Sequence, residues 1–100
     1  MTRREIAVDY FNKGYNCCQA VLLAFQDLTG LSSEASALLA SSFGGGMGKL
    51  REVCGAVSGM FMVAGILAGY TTNDPKEKKD GHYTLIQQLA EEFKAEHQTI

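Results

Sequence analysis

Residues 53–73 carry no charged side chain and run through Val53, Val57, Met60, Phe61, Met62, Val63, Ile66 and Leu67. A stretch that long and that apolar belongs either in a bilayer or inside a helical bundle. Gly55, Ser58, Gly59, Gly65 and Gly69 dilute its hydrophobicity, and no cluster of Lys or Arg stands close enough to orient a membrane span. The expected form is therefore a buried Gly/Ala-rich helix that the remaining segments must cover.

Those segments also read as helices. One Pro and no Trp in 100 residues, with Ala, Leu, Glu, Lys and Gln common, gives many helix formers and few strand signals. Thr2 is placed to cap a first helix through Ile6, Ala7, Tyr10 and Phe11, which Gly14 closes. Asn16 caps a second, with Ala20, Val21, Leu23, Ala24 and Phe25 as its apolar stripe and Gly30 as its end. Ser32 or Ser33, followed by Glu34, opens a third that passes Leu38, Leu39 and Phe43 before Gly44-Gly45-Gly46 stops it. The long apolar helix begins between Lys49 and Glu52 and ends near Tyr70. Asp74-Pro75 starts the last, on which Tyr83, Ile86, Leu89, Ala90 and Phe93 recur at helical spacing. The expectation is an all-α, compact bundle of about five helices around the central apolar one. Residues 1–100 form a single domain with no internal repeat or linker. The last helix meets no Gly, Pro or polar stop after His97 and ends on apolar Ile100, as a chain cut short would.

The net charge of -2 arises from interspersed signs, which leaves no basic field for a nucleic-acid backbone or an anionic membrane. Three cysteines is an odd number, two of them are adjacent, and no secretory leader precedes them, which suits a reducing cytoplasm better than a disulfide framework.

Cysteine works as nucleophile, redox centre or soft-metal ligand only as thiolate, and a helix N-terminus favours that form. Cys17 and Cys54 both fall at predicted helix starts, where they are candidate catalytic residues and metal ligands if the second and fourth helices begin at the same end of the bundle. Equally, small buried cysteines serve as core packing. Adjacent side chains on a helix diverge, so Cys17 and Cys18 make poor partners for each other. The Gly44-Gly45-Gly46-Met47-Gly48 loop lacks a phosphate-loop pattern, yet it can turn sharply and let another group reach Cys54. Gly45, Gly46 and Gly48, with Gly55 and Gly59 beyond, are the candidate cofactor-binding positions. The spacing from Gly55 to Gly59 also suits close helix packing. His82 and His97 read as surface residues, and Met47, Met60 and Met62 as gap filling.

Gly14-Tyr15-Asn16-Cys17 with Gln19-Ala20-Val21, then Phe43-Gly44-Gly45-Gly46-Met47-Gly48, then Cys54-Gly55-Ala56-Val57-Ser58-Gly59 together resemble the bacterial and archaeal C-GCAxxG-C-C family, described as redox-active. The resemblance covers essentially the whole chain. It implies that Cys17 matches the family's first cysteine and Cys54 that of the CGAxxG motif, with Cys18 where a small residue is usual. It also implies two further cysteines toward the C-terminus, and this chain has neither.

The leading expectation is a thiol-based redox or electron-transfer protein. Cys17 and Cys54 would cycle between dithiol and disulfide or bind a metal ion or iron–sulfur cluster. Its partner would be a redox protein or a small-molecule thiol or electron carrier. The competing expectation is a non-catalytic helical assembly module with structural cysteines, able to form homo-oligomers. A third is a membrane-inserted helix.

Overall fold

The computed structural model describes residues 1–97, so Ile100 lies outside the described residues, as does the side chain of His97. Six α-helices and one 3-10 turn are present among the described residues, without a strand. They are α1 (Arg3–Asn12), α2 (Cys17–Ala24), α3 (Gln26–Thr29), α4 (Ser33–Ala40), α5 (Gly55–Ala68) and α6 (Lys76–His97), with the 3-10 turn at Ser41–Phe43 between α4 and α5. The all-α expectation holds.

Local chemistry accounts for most of the boundaries. Thr2 and Glu5 form a reciprocal cap on α1, and Asn16 and Gln19 form another on α2. Ser32 accepts from the Ala35 amide to open α4. The expected second helix is broken at Phe25, whose φ of -111° leaves the helical range; α3 follows and ends at Gly30 with φ of +74°. Arg3 holds that break. Its guanidinium donates to the Ala24 carbonyl at 2.7 Å, pairs with the Asp27 carboxylate, and stacks over the Phe25 ring at 4.9 Å.

The long apolar helix begins at Gly55, later than expected, because residues 45–49 and Arg51 have positive φ and cannot enter a right-handed helix. It stops at Ala68, where Gly69 becomes extended. Beyond it, the Asp74 carboxylate accepts from the Thr71 amide at 2.7 Å, and α6 starts just after Pro75.

The core lies between α2 and α5. Five of the eight α2 residues are buried, and α1, α4 and α5 pack around them, while α6 packs on α5. Leu22, Cys18, Ala40 and Val63 form the buried cluster, with Phe25, Leu31, Phe43 and Met62 against it. Gly59 lets the two helices close: a Cβ there would stand 2.9 Å from Val21 Cβ and 3.1 Å from the Cys18 carbonyl. The outer face of α5 is less covered than an all-round apolar sequence suggests, since Ile66 and Leu67 are 43% and 54% exposed. No helix among the described residues is long and apolar enough to cross a membrane. His82, expected on the surface, is half-buried with its ring edge toward Tyr70, and its Nδ1 is buried without a hydrogen-bond partner.

Candidate functional site

Cys17 is the first residue of α2 and Cys54 the N-cap of α5, and both are half-buried. The two helices start at the same end of the bundle because Gly55 permits it. A Cβ on Gly55 would lie 2.9 Å from the Phe43 carbonyl, 3.1 Å from the Cys18 nitrogen and 3.3 Å from Cys17 Cβ. Both cysteines thereby open into one surface concavity of about 610 Å³. Gly45, Gly46 and Gly55 line it with them, and Lys49, Arg51 and Glu52 complete its rim.

Asn16 fixes the α2 side of this concavity. Its Oδ1 accepts from the Gln19 amide at 2.8 Å, while its Nδ2 donates to the Ser41 carbonyl at 3.3 Å. Its side chain also fills the space beside Gly44, where a Cβ would come within 2.7 Å of Asn16 Cβ. Gln19 Nε2 reaches the Ala37 carbonyl at 2.9 Å, so the start of α2 is tied to the end of α4.

On the opposite side, residues 45–49 wind through five consecutive left-handed conformations. Gly45, Gly46 and Gly48 adopt these without a steric penalty, whereas Met47 and Lys49 (φ +66° each) and then Arg51 (φ +59°) do so at about 1–2 kcal/mol per residue. Backbone bonds close the loop: the Lys49 amide donates to Gly44 O at 3.0 Å, Arg51 to Gly45 O at 3.3 Å and Glu52 to Gly46 O at 3.1 Å. Gly46 is buried beneath them, with the Arg51 Cα only 2.7 Å from where its Cβ would be.

The electrostatics of the concavity have one dominant sign. Two helix N-termini, each with the partial positive charge of its free amides, meet at the cysteines. Cys54 makes no side-chain cap bond to the first turn of α5. Lys49 and Arg51 add two exposed cations, and neither forms an ion pair with a carboxylate among the described residues; Glu52 is the acid on the same rim. Cys18 is a different kind of thiol. It is fully buried, its Sγ lies 3.9 Å from Met62 Sδ, and burial followed by the neighbouring Cys17 pushes its pKa up to about 11.

Of the residues singled out in the sequence, Cys17, Cys54, Gly45, Gly46 and Gly55 are brought together here. Gly48 sits on the outer turn of the loop, facing the Ser42 carbonyl, and Gly59 lies in the α2–α5 contact. Lys49, Arg51 and Glu52 were missed, because their segment was assigned to the beginning of the long helix. The available signal was a charged tetrapeptide containing Lys49, Arg51 and Glu52 wedged between a glycine loop and a cysteine.

A closed thiolate metal site needs four donors. Among the described residues no three His, Cys, Asp or Glu side chains converge to hold an ion, so Cys17 and Cys54 do not make up such a set. What they do form is a pair of free thiols at one cleft.

The class defined by fold and cleft is thus an all-α protein with two helix-start cysteines sharing an open pocket. Residues 15–100 match the family described as putative redox-active protein (C_GCAxxG_C_C), and the chain belongs to that family. No curated protein and no solved structure matches it.

Proposed function

We propose that this is a cytoplasmic thiol-based redox protein in which Cys17 and Cys54 interconvert between a dithiol and a disulfide. The observation that carries the reading is their opening into one pocket from the starts of two helices. In the oxidising half-reaction one thiolate attacks a sulfur of an external disulfide, whose S–S bond breaks and whose departing thiolate takes up a proton. The second cysteine's thiolate then attacks the first cysteine's own sulfur in that mixed disulfide, breaking its S–S bond, releasing the other half of the oxidant as a thiolate that takes up a proton, and closing the Cys17–Cys54 bond. The protein loses two electrons and two protons, and the oxidant gains them. Cys54 is the N-cap of α5 and makes no side-chain hydrogen bond to its first turn, which leaves the sulfur available for exchange. Redox partners are a protein or a small-molecule thiol able to enter the pocket. Metal or cluster chemistry at these cysteines would need donors from outside the described residues.

The test is a redox titration of the purified protein in dithiothreitol buffers, read by intact mass after trapping free thiols. The parent is expected to show one two-electron transition that Cys17→Ser and Cys54→Ser each abolish and Cys18→Ala retains. Survival of the transition in either serine variant would overturn the reading.

A second reading, a helical assembly module and homo-oligomer, draws on the apolar side chains of Leu38, Leu39, Leu50 and Leu67, each at least half exposed. Sedimentation equilibrium distinguishes it, because assembly through these side chains makes the mass concentration-dependent and weakens when Leu38 and Leu67 are replaced by Lys.

A further inference from the structure

Resting on the dithiol reading, we infer that the pocket selects its small-molecule partner by charge, and that the preferred partner is an anionic low-molecular-weight disulfide or its thiol. Lys49 and Arg51 stand on the pocket rim beside Cys17 and Cys54, and neither is neutralised by a carboxylate among the described residues. Two helix starts add positive potential from the floor. Against these stands one acid, Glu52. The sum favours an anion inside the pocket although the chain as a whole carries -2.

The backbone supports this placement. Lys49 and Arg51 alternate with Leu50 in a segment where the two charged residues are left-handed and Leu50, 73% exposed, is not. Glycine would fit both positions with less strain, as it does at Gly45, Gly46 and Gly48. Strained residues cluster at ligand sites. Met47 shares the strain without lining the pocket, whereas Lys49 and Arg51 place two cations in the wall of a cleft of about 610 Å³, roomy enough for a peptide-sized thiol compound.

The chemistry is the exchange already balanced above, with the partner's carboxylates near Lys49 and Arg51 and its S–S bond presented to the cysteines. Oxidation of the protein converts one anionic disulfide into two thiols; run in reverse, two such thiols reduce the Cys17–Cys54 bond and leave as the disulfide.

The experiment compares three disulfides on the reduced protein: oxidised glutathione, which is anionic, hydroxyethyl disulfide, which is neutral, and cystamine, which is cationic. Loss of free thiol is followed by quenching and mass spectrometry for the parent and for the K49E/R51E double variant, with circular dichroism checking that both are equally helical. Normalised to hydroxyethyl disulfide, the ratio of the glutathione rate constant to the cystamine rate constant is expected to fall by at least about tenfold in the double variant. In the parent the same ratio should shrink in 1 M salt, where the screening length is about 3 Å. K49Q/R51Q should fall between the two proteins, which separates charge from shape. A ratio unchanged in both variants while exchange proceeds overturns the inference and leaves the dithiol reading standing. Absence of exchange with all three reagents overturns both.

Discussion

Gly55 and Cys17 meet across the start of two helices so closely that a methyl group on Gly55 would sit 3.3 Å from Cys17 Cβ, with the Phe43 carbonyl nearer still at 2.9 Å. That contact is what sets Cys54, one residue earlier, beside the same pocket as Cys17. Gly55→Ala must push α5 away from backbone atoms that cannot rotate aside. It is expected to cost about 1–3 kcal/mol, as overpacking in a closed contact does. Gly81→Ala, in the interior of α6 with open space around the position, should instead gain about 0.5–1 kcal/mol. Urea unfolding of the two variants checks the pair of opposite signs.

The loop makes a parallel prediction. Gly46 combines a φ of +76° with the Arg51 Cα at 2.7 Å and the Arg51 and Glu52 nitrogens at 3.0 Å from its absent Cβ. Gly46→Ala should therefore destabilise by about 1–3 kcal/mol. Since the displaced segment carries Lys49 and Arg51, thiol accessibility at Cys54 should change as well, whereas Gly48→Ala, whose Cβ would meet only the Ser42 carbonyl at an ordinary 3.6 Å but on the same left-handed backbone, should affect stability alone. Thermal unfolding together with maleimide labelling rates separates the two effects.

How far the sequence foretold this arrangement depends on the residue. Thr2, Asn16 and Ser32 announced their helices because a cap is a local bargain between one side chain and the amides just after it. The core glycines Gly55 and Gly59 were visible as a small-residue spacing, although only the fold shows that Gly55 touches the Cys17–Cys18 backbone while Gly59 receives Val21. The break at Phe25 was not legible, because it is held by Arg3, more than twenty residues away in sequence. The left-handed run past Gly48 was missed for a different reason: Lys49 and Arg51 have ordinary helical propensity, and their conformation is fixed by backbone bonds within the loop, back to the Gly44 and Gly45 carbonyls, that leave no mark on the side chains.

The three cysteines should separate cleanly by reactivity. Cys17 and Cys54 line an open pocket, while Cys18 is fully buried and its thiol is shifted up to about 11. Alkylation of the native, reduced protein at neutral pH should modify two thiols, with Cys18 reacting only on unfolding. The same shift gives a pH signature. In the unfolded chain Cys18 ionises near its ordinary 9.0, and in the fold it holds its proton to about 11, so its contribution to stability is complete below pH 9 and is lost as pH rises toward 11. Cys18→Ala should flatten that alkaline decline in urea midpoint.

Acid should act through Asp27. Its hydrogen bonds from Arg3 hold its carboxyl below the ordinary value of 3.8, so the stabilisation is present above that pH and fades as pH falls through the lower folded value. Asp27→Asn is expected to lower the urea midpoint at pH 7 and to differ little from the parent at the acid end of the range. Because the same guanidinium caps Ala24, Arg3→Ala should show a larger loss that persists in acid.

The central claim, that Cys17 and Cys54 form one redox pair, is tested most directly by oxidising the reduced protein with diamide and mapping its disulfides by peptide mass spectrometry. The account predicts a protein lighter by two hydrogens with a single Cys17–Cys54 cross-link and Cys18 still a free thiol. A cross-link that includes Cys18, or oxidation that joins only separate molecules, would contradict it.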